Sequence, residues 1–294
     1  FKYNVIDGTT TVEIAGRASG NDATDIVIPS SVTHSGTTYA VTAFADEAFR
    51  YEYKSGGPPR ITSVTIPDSI TEIGRAVFRD NNSLTSVTIP DSVTTIGSQA
   101  FMSAGLTSVT IPDSVTTIGK QAFYEQRDPS NKNTLTSVTI GNSVTTIGAD
   151  AFERNTELTS VTIGNNVTTI GFGAFSYTGL TSVTIPANVT TIDGYAFSQS
   201  NLTYVAFLGD FGDFSDNIFW QNGDLATICT AAGASGWPQS FDISTNDNPD
   251  EDLKTTTCNF VPECSDESID WTTAATEDGW SCTVDGAEYE YADF

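Results

Sequence analysis

Six hydroxyl pairs stand at matched positions along the chain: Ser63/Thr65, Ser86/Thr88, Ser108/Thr110, Ser137/Thr139, Ser160/Thr162 and Ser182/Thr184. Residues two apart share one side of a β-strand, about 7 Å from each other, and neighbouring strands lie about 4.8 Å away. Hydroxyls on such a lattice can hydrogen-bond a broad polar ligand, a protein or polysaccharide, or order water as an ice-binding face does. Their recurrence also follows from strand formation alone, because Thr favours β-structure and tandem duplication copies whatever was there. The rank ends at Tyr204/Ala206. Two irregular segments, Tyr51–Pro59 and Tyr124–Thr134, carry three of the twelve basic residues, Lys54, Arg127 and Lys132, and Tyr124 and Arg127 are candidate contacts there. The sequence holds one histidine, His34, and no G-x-S-x-G elbow, P-loop or H-E-x-x-H, so no catalysis is expected.

Metal and redox chemistry have few places to sit. Asp210, Asp213 and Asp216 form one acidic cluster, and Asp247, Asp250, Glu251 and Asp252 another. Oxygen ligands suit Ca²⁺, but neither cluster has the spacing of a calcium loop, so a solvated acidic surface is expected and no cofactor. Cys229, Cys258, Cys264 and Cys282 lack the CxxC spacing of a zinc site and are disulfide candidates, with three connectivities open. Asn81, Asn166, Asn188 and Asn201 open N-x-S/T sequons.

A repeat must position the hydroxyls. The line Leu84-Thr-Ser-Val-Thr-Ile-Pro-Asp-Ser-Val-Thr-Thr-Ile-Gly97, followed by Ala100-Phe101, returns from Leu106, Leu135, Leu158 and Leu180. A variant begins at Ile61 and a decayed copy at Leu202, in steps of 23, 22, 29, 23, 22 and 22 residues. Within each coil Leu84, Val87 and Ile89 turn inward around a short strand, Pro90 ends it, and Val93 and Ile96 point back to the core. Gly97 suits a bend of positive φ. The phenylalanines from Phe49 to Phe219 form an internal ladder once coils stack. A single coil buries too few apolar groups to fold alone, whereas a stack does not.

The expected fold is therefore a repeat solenoid of short parallel strands with turns and little helix. Residues 1–21 read as a hairpin cap, 22–224 as repeats, 225–257 as a C-terminal cap and acidic linker, and 258–294 as a cysteine-bearing acidic tail. The chain has 37 acidic and 12 basic residues, a net charge of −25, which opposes a nucleic-acid surface. No segment has the length and apolarity of a spanning helix. A start at Phe1 without a signal segment fits a processed protein or a fragment.

The phrase I-P-x-x-V-T-x-I-G-x-x-A-F, as in Ile89–Phe101, resembles the BspA-type leucine-rich repeats over roughly residues 22–240. The resemblance implies a right-handed leucine-rich-repeat superhelix, exposure outside the cell or at its surface, and adhesion or recognition without catalytic residues. The repeats from Leu135 and Leu158 depart from it, with Gly141 and Gly164 where the others carry proline. The expected partner is an extracellular protein or polysaccharide, with self-assembly into a surface filament or layer as the structural alternative.

Overall fold

The computed structural model describes residues 1–18, 20–52, 59–125, 134–215, 217–222, 225, 227–230 and 235, and the strand backbones at 281–284 and 287–290. The N-terminal end is a four-stranded sheet. β1 (Lys2–Val5) and β2 (Thr11–Gly16) pair antiparallel around Gly8, whose φ is +76°. After β3 (Asp25–Val27) come β4 (Ser31–His34) and β5 (Thr37–Phe44), and the sheet order is β1-β2-β5-β4. The second hairpin went unread in the sequence. Its signal is Ser35-Gly36, two positive-φ residues between strands, which is the pattern of a tight primed turn. The sheet closes the core: Phe44 lies edge-on to Phe49 and Phe78, and Phe1 lies edge-on to Phe49.

The coils follow, each with two strand positions. The first position gives β6 (Ser63–Thr65), β9 (Ser108–Ile111), β11 (Ser137–Ile140), β13 (Ser160–Thr162), β15 (Ser182–Ile185), β17 (Tyr204–Phe207) and β19 (Thr227–Thr230). The second gives the two-residue strands β7 (Glu72–Ile73), β8 (Thr95–Ile96), β10 (Thr117–Ile118), β12 (Thr146–Ile147), β14 (Thr169–Ile170), β16 (Thr191–Ile192) and β18 (Asp213–Phe214). The second set makes one continuous parallel sheet of seven strands. The first set is split into β3-β6, β9-β11-β13 and β15-β17-β19. A last antiparallel pair is β20 (Ser281–Val284) with β21 (Ala287–Glu290). Among the described residues there is no helix, and so none long and apolar enough to cross a membrane.

The core is the expected phenylalanine ladder. Phe49, Phe78, Phe101, Phe123, Phe152, Phe175 and Phe197 stack with centroids 5.1 to 5.8 Å apart, and Phe219 follows at 6.1 Å. Rings in register along the axis are what a near-constant repeat length imposes. Buried asparagines tie successive rings together through the backbone. Asn155 Nδ2 donates to Phe123 O and Phe152 O, both at 2.9 Å, and Asn81 and Asn222 bridge Phe49 to Phe78 and Phe197 to Phe219 likewise. Asn81 is thereby buried, so its sequon is closed to a glycan in the folded chain.

Two sequence expectations need correction. The coil from Leu84 forms no first strand, and Val87 is only half-buried although Leu84 and Ile89 are buried. Gly97 does not take positive φ. That conformation falls two residues later, at Ala76, Gln99, Gln121, Asp150, Gly173 and Tyr195, where the chain turns into the phenylalanine. Glycine is needed at 97 for close approach: a Cβ there would lie 2.8 Å from the Gly74 backbone. Gly141 and Gly164 are explained in the same way. A Cβ on Gly164 would meet the Gly141 oxygen at 2.2 Å, so that turn packs backbone on backbone.

Candidate functional site

Threonines that look alike in the sequence divide into two kinds in the structure. One kind is committed to holding coils together. Thr116, Thr145 and Thr168 Oγ1 donate to the main-chain oxygen of Thr94, Thr116 and Thr145 at 3.1 to 3.2 Å. Thr107, Thr136 and Thr203 do the same toward Thr85, Thr107 and Thr181. The other kind is Thr110, Thr139, Thr162 and Thr184, which are exposed on the strands and, among the described residues, make no side-chain hydrogen bond. Alternation along the strand produces this: Val109, Val138 and Val183 are buried, so their neighbours face out.

The first strands place these hydroxyls in register. Thr110 pairs with Thr139 and Thr139 with Thr162, while Ser108, Ser137 and Ser160 pair alongside. Ser182 and Thr184 continue on β15, paired with Tyr204 and Ala206. Between β13 and β15 the ladder is interrupted, and there Val161 is only half-buried. The interruption lies within a groove of about 1130 Å³ that crosses the coils from Asp91 to Leu208. Its floor carries the free threonine hydroxyls. One side is a row that sequence analysis did not single out: Asp91, Asp113, Asn142 and Asn165, one turn residue per coil. Side chains of that row order the turns, since the backbone N–H of Asn142 donates to Asp113 Oδ1 at 2.6 Å and that of Asn165 to Asn142 Oδ1 at 3.0 Å. Tyr204 and Leu208 stand at the C-terminal end, Leu208 being 41% exposed. The row was legible as the residue after each V-T-I-P or V-T-I-G, which is Asp or Asn from Asp68 to Asn165.

The remaining candidates lie elsewhere. Ser63 donates to Asp25 Oδ1 at 2.8 Å, with Thr62 at 2.9 Å, and the two hydroxyls hold the Asp25 carboxyl below the usual carboxylate range. Thr65 is exposed on β6, in a separate two-stranded sheet, and Ser86 and Thr88 lie in the coil that forms no first strand. The six pairs are thus not one flat lattice. Tyr124 is not in the groove; its hydroxyl accepts from Arg154 Nε at 3.1 Å. Arg127 lies outside the described residues, as do Cys258, Cys264, Asp216 and the acids at 247–252. Cys229 is buried on β19, and Cys282 lies on β20, where only the backbone is described. Asp210 Oδ1 accepts from the Ser235 amide at 2.8 Å. Among the described residues no three His, Cys, Asp or Glu side chains gather as a metal site. An aromatic ridge escaped sequence analysis: exposed Phe172 meets Tyr195 edge-on at 5.5 Å, and Tyr195 meets Trp220 at 5.6 Å.

Fold and site define a leucine-rich-repeat solenoid of short parallel strands with a polar groove across them. The model of the BspA type leucine rich repeat region matches in six copies over residues 42–131 and 129–226, and the chain belongs to this family. Among solved structures it is similar to a leucine rich cell surface protein from Faecalibacterium prausnitzii A2-165. That likeness has 36% identity and a TM-score of 0.59, over 70% of this chain and 52% of that one. The chain therefore spans about half the length of that protein. It is also similar to a leucine rich repeat protein of T. pallidum, at 25% identity and a TM-score of 0.50, over 70% of this chain and 82% of that one. No curated protein matches the chain.

Proposed function

We propose that the protein is a non-catalytic recognition module acting at the cell surface or outside the cell, and that it binds an extended ligand in the groove. The observation that carries this is the split between committed and free hydroxyls. Interlocking the coils accounts for Thr116, Thr145 and Thr168 but not for Thr110, Thr139, Thr162 and Thr184, which face the groove. Location outside the cell is supported by the family and by the cell-surface description of the F. prausnitzii relative. No cofactor enters this function.

The test is retention of the chain on immobilised matrix proteins, host cells and polysaccharides, alongside a Thr139→Trp/Thr162→Trp variant that fills the groove. Both positions are exposed, so the variant should fold. Wild type should be retained on at least one of these surfaces, and the variant should lose at least tenfold in affinity, about 1.4 kcal/mol. Equal retention of both chains would place recognition elsewhere.

A further inference from the structure

We infer that the groove takes a neutral polysaccharide laid along the solenoid axis, about one sugar per coil. This rests on the groove being the recognition face and adds the class of ligand. Three observations converge on it.

The first is spacing. Thr110, Thr139 and Thr162 sit on adjacent paired strands, so one free hydroxyl recurs about every 4.8 Å. In an extended β-1,4-linked hexopyranose polymer each ring advances the chain by a length close to that strand spacing. An extended peptide presents same-side residues about every 6.6 to 6.8 Å and falls out of step.

The second is charge. Asp91 and Asp113 line the groove, and neither Lys nor Arg does. With a chain charge of −25, a uronate or sulfated polymer meets only repulsion there. A neutral polyol meets hydroxyl and amide groups that donate and accept, and carboxylates that accept.

The third is the end of the groove. Where Ser recurs in the preceding coils, Tyr204 stands in register with Ser182, with Leu208 beside it. A half-exposed ring next to an aliphatic side chain fits the apolar face of a sugar ring.

The experiment is calorimetric titration and affinity electrophoresis of the whole chain against galactomannan, dextran and a β-glucan. Polygalacturonate, heparin and an extended-peptide library are the controls. Variants are Thr139→Val/Thr162→Val, which keeps shape and β-propensity, and Tyr204→Ala, each checked by thermal melting against wild type. Binding to at least one neutral polymer is expected, weakened about threefold to tenfold per lost hydroxyl and about tenfold by the loss of the ring. Affinity for its oligosaccharides should rise with length to about four sugars, one for each free threonine, and then level off. Preference for the anionic polymers, or binding to none of the neutral ones, overturns the inference. Peptide binding that the variants abolish, without sugar binding, overturns the ligand class but leaves the groove as the recognition face. Sugar binding untouched by every variant overturns both.

Discussion

Phe152→Ala should damage the solenoid more than any exposed substitution, and its size can be worked out from the ladder. The ring is fully buried and sits between Phe123 at 5.1 Å and Phe175 at 5.2 Å, nearly parallel to both. Truncation removes its transfer energy and leaves a cavity, together about 3 to 5 kcal/mol. Both stacking contacts go with it, and the Asn155 bridge between Phe123 O and Phe152 O loses the packing that holds it. A domain of this kind has a total stability of roughly 5 to 15 kcal/mol, so about a fifth or more would be lost. With a urea m-value near 2 kcal/mol/M, a loss of about 4 kcal/mol lowers the midpoint by about 2 M. Because each coil contacts only its neighbours, a break at the centre should also let the two halves melt apart, broadening the transition. Far-UV circular dichroism in urea reads both effects. A midpoint within about 0.5 M of wild type, with an unchanged slope, would refute the ladder as the main source of stability.

Three further outcomes follow from other contacts. Gly148→Ala should cost roughly 2 kcal/mol or more in the same urea assay, since its Cβ would lie 2.7 Å from Gly119 and Lys120 backbone atoms; Gly8→Ala, with nothing within 4 Å but φ at +76°, should cost only about 1 kcal/mol. Asn155→Ala leaves two buried carbonyls without their donor and should cost about 1 to 3 kcal/mol by chemical denaturation. Burial, and next the neighbouring Asp150, raises the Glu153 carboxyl above the ordinary glutamate range against the pull of Arg154. An acid whose folded pKa is raised gives stability at low pH that is lost as pH climbs from the unfolded to the folded pKa. Melting temperatures across that window should therefore fall more steeply for wild type than for Glu153→Gln, and parallel curves would contradict the assignment.

Much of the fold was legible because the repeat fixes it. A near-constant step forces equivalent residues into register, so one parsed coil, Leu84–Phe101, predicts inward positions in all of them. It failed at Val87, where the local strand does not form, and at Gly97, where the sequence pattern of a bend hid a backbone contact between coils. Close approach between chain segments leaves no mark in one-dimensional spacing. The site was legible in part. Alternation placed Thr110 and Thr139 outward, yet nothing in the letters separates them from Thr116 and Thr145, whose hydroxyls are taken by the preceding coil. Phe172, Tyr195 and Trp220 occupy different positions in their coils, so only the fold brings them together.

The ridge and the groove also supply the sharpest test of where recognition occurs. Hydroxyl-radical footprinting of the chain, free and bound to a surface that retains it, labels Tyr204 and Leu208 in the groove and Phe172 and Trp220 on the ridge in one experiment. Protection of Tyr204 and Leu208 with unchanged labelling at Phe172 and Trp220 is the expected result. Protection of the ridge with the groove still open to label would contradict the groove as the binding face.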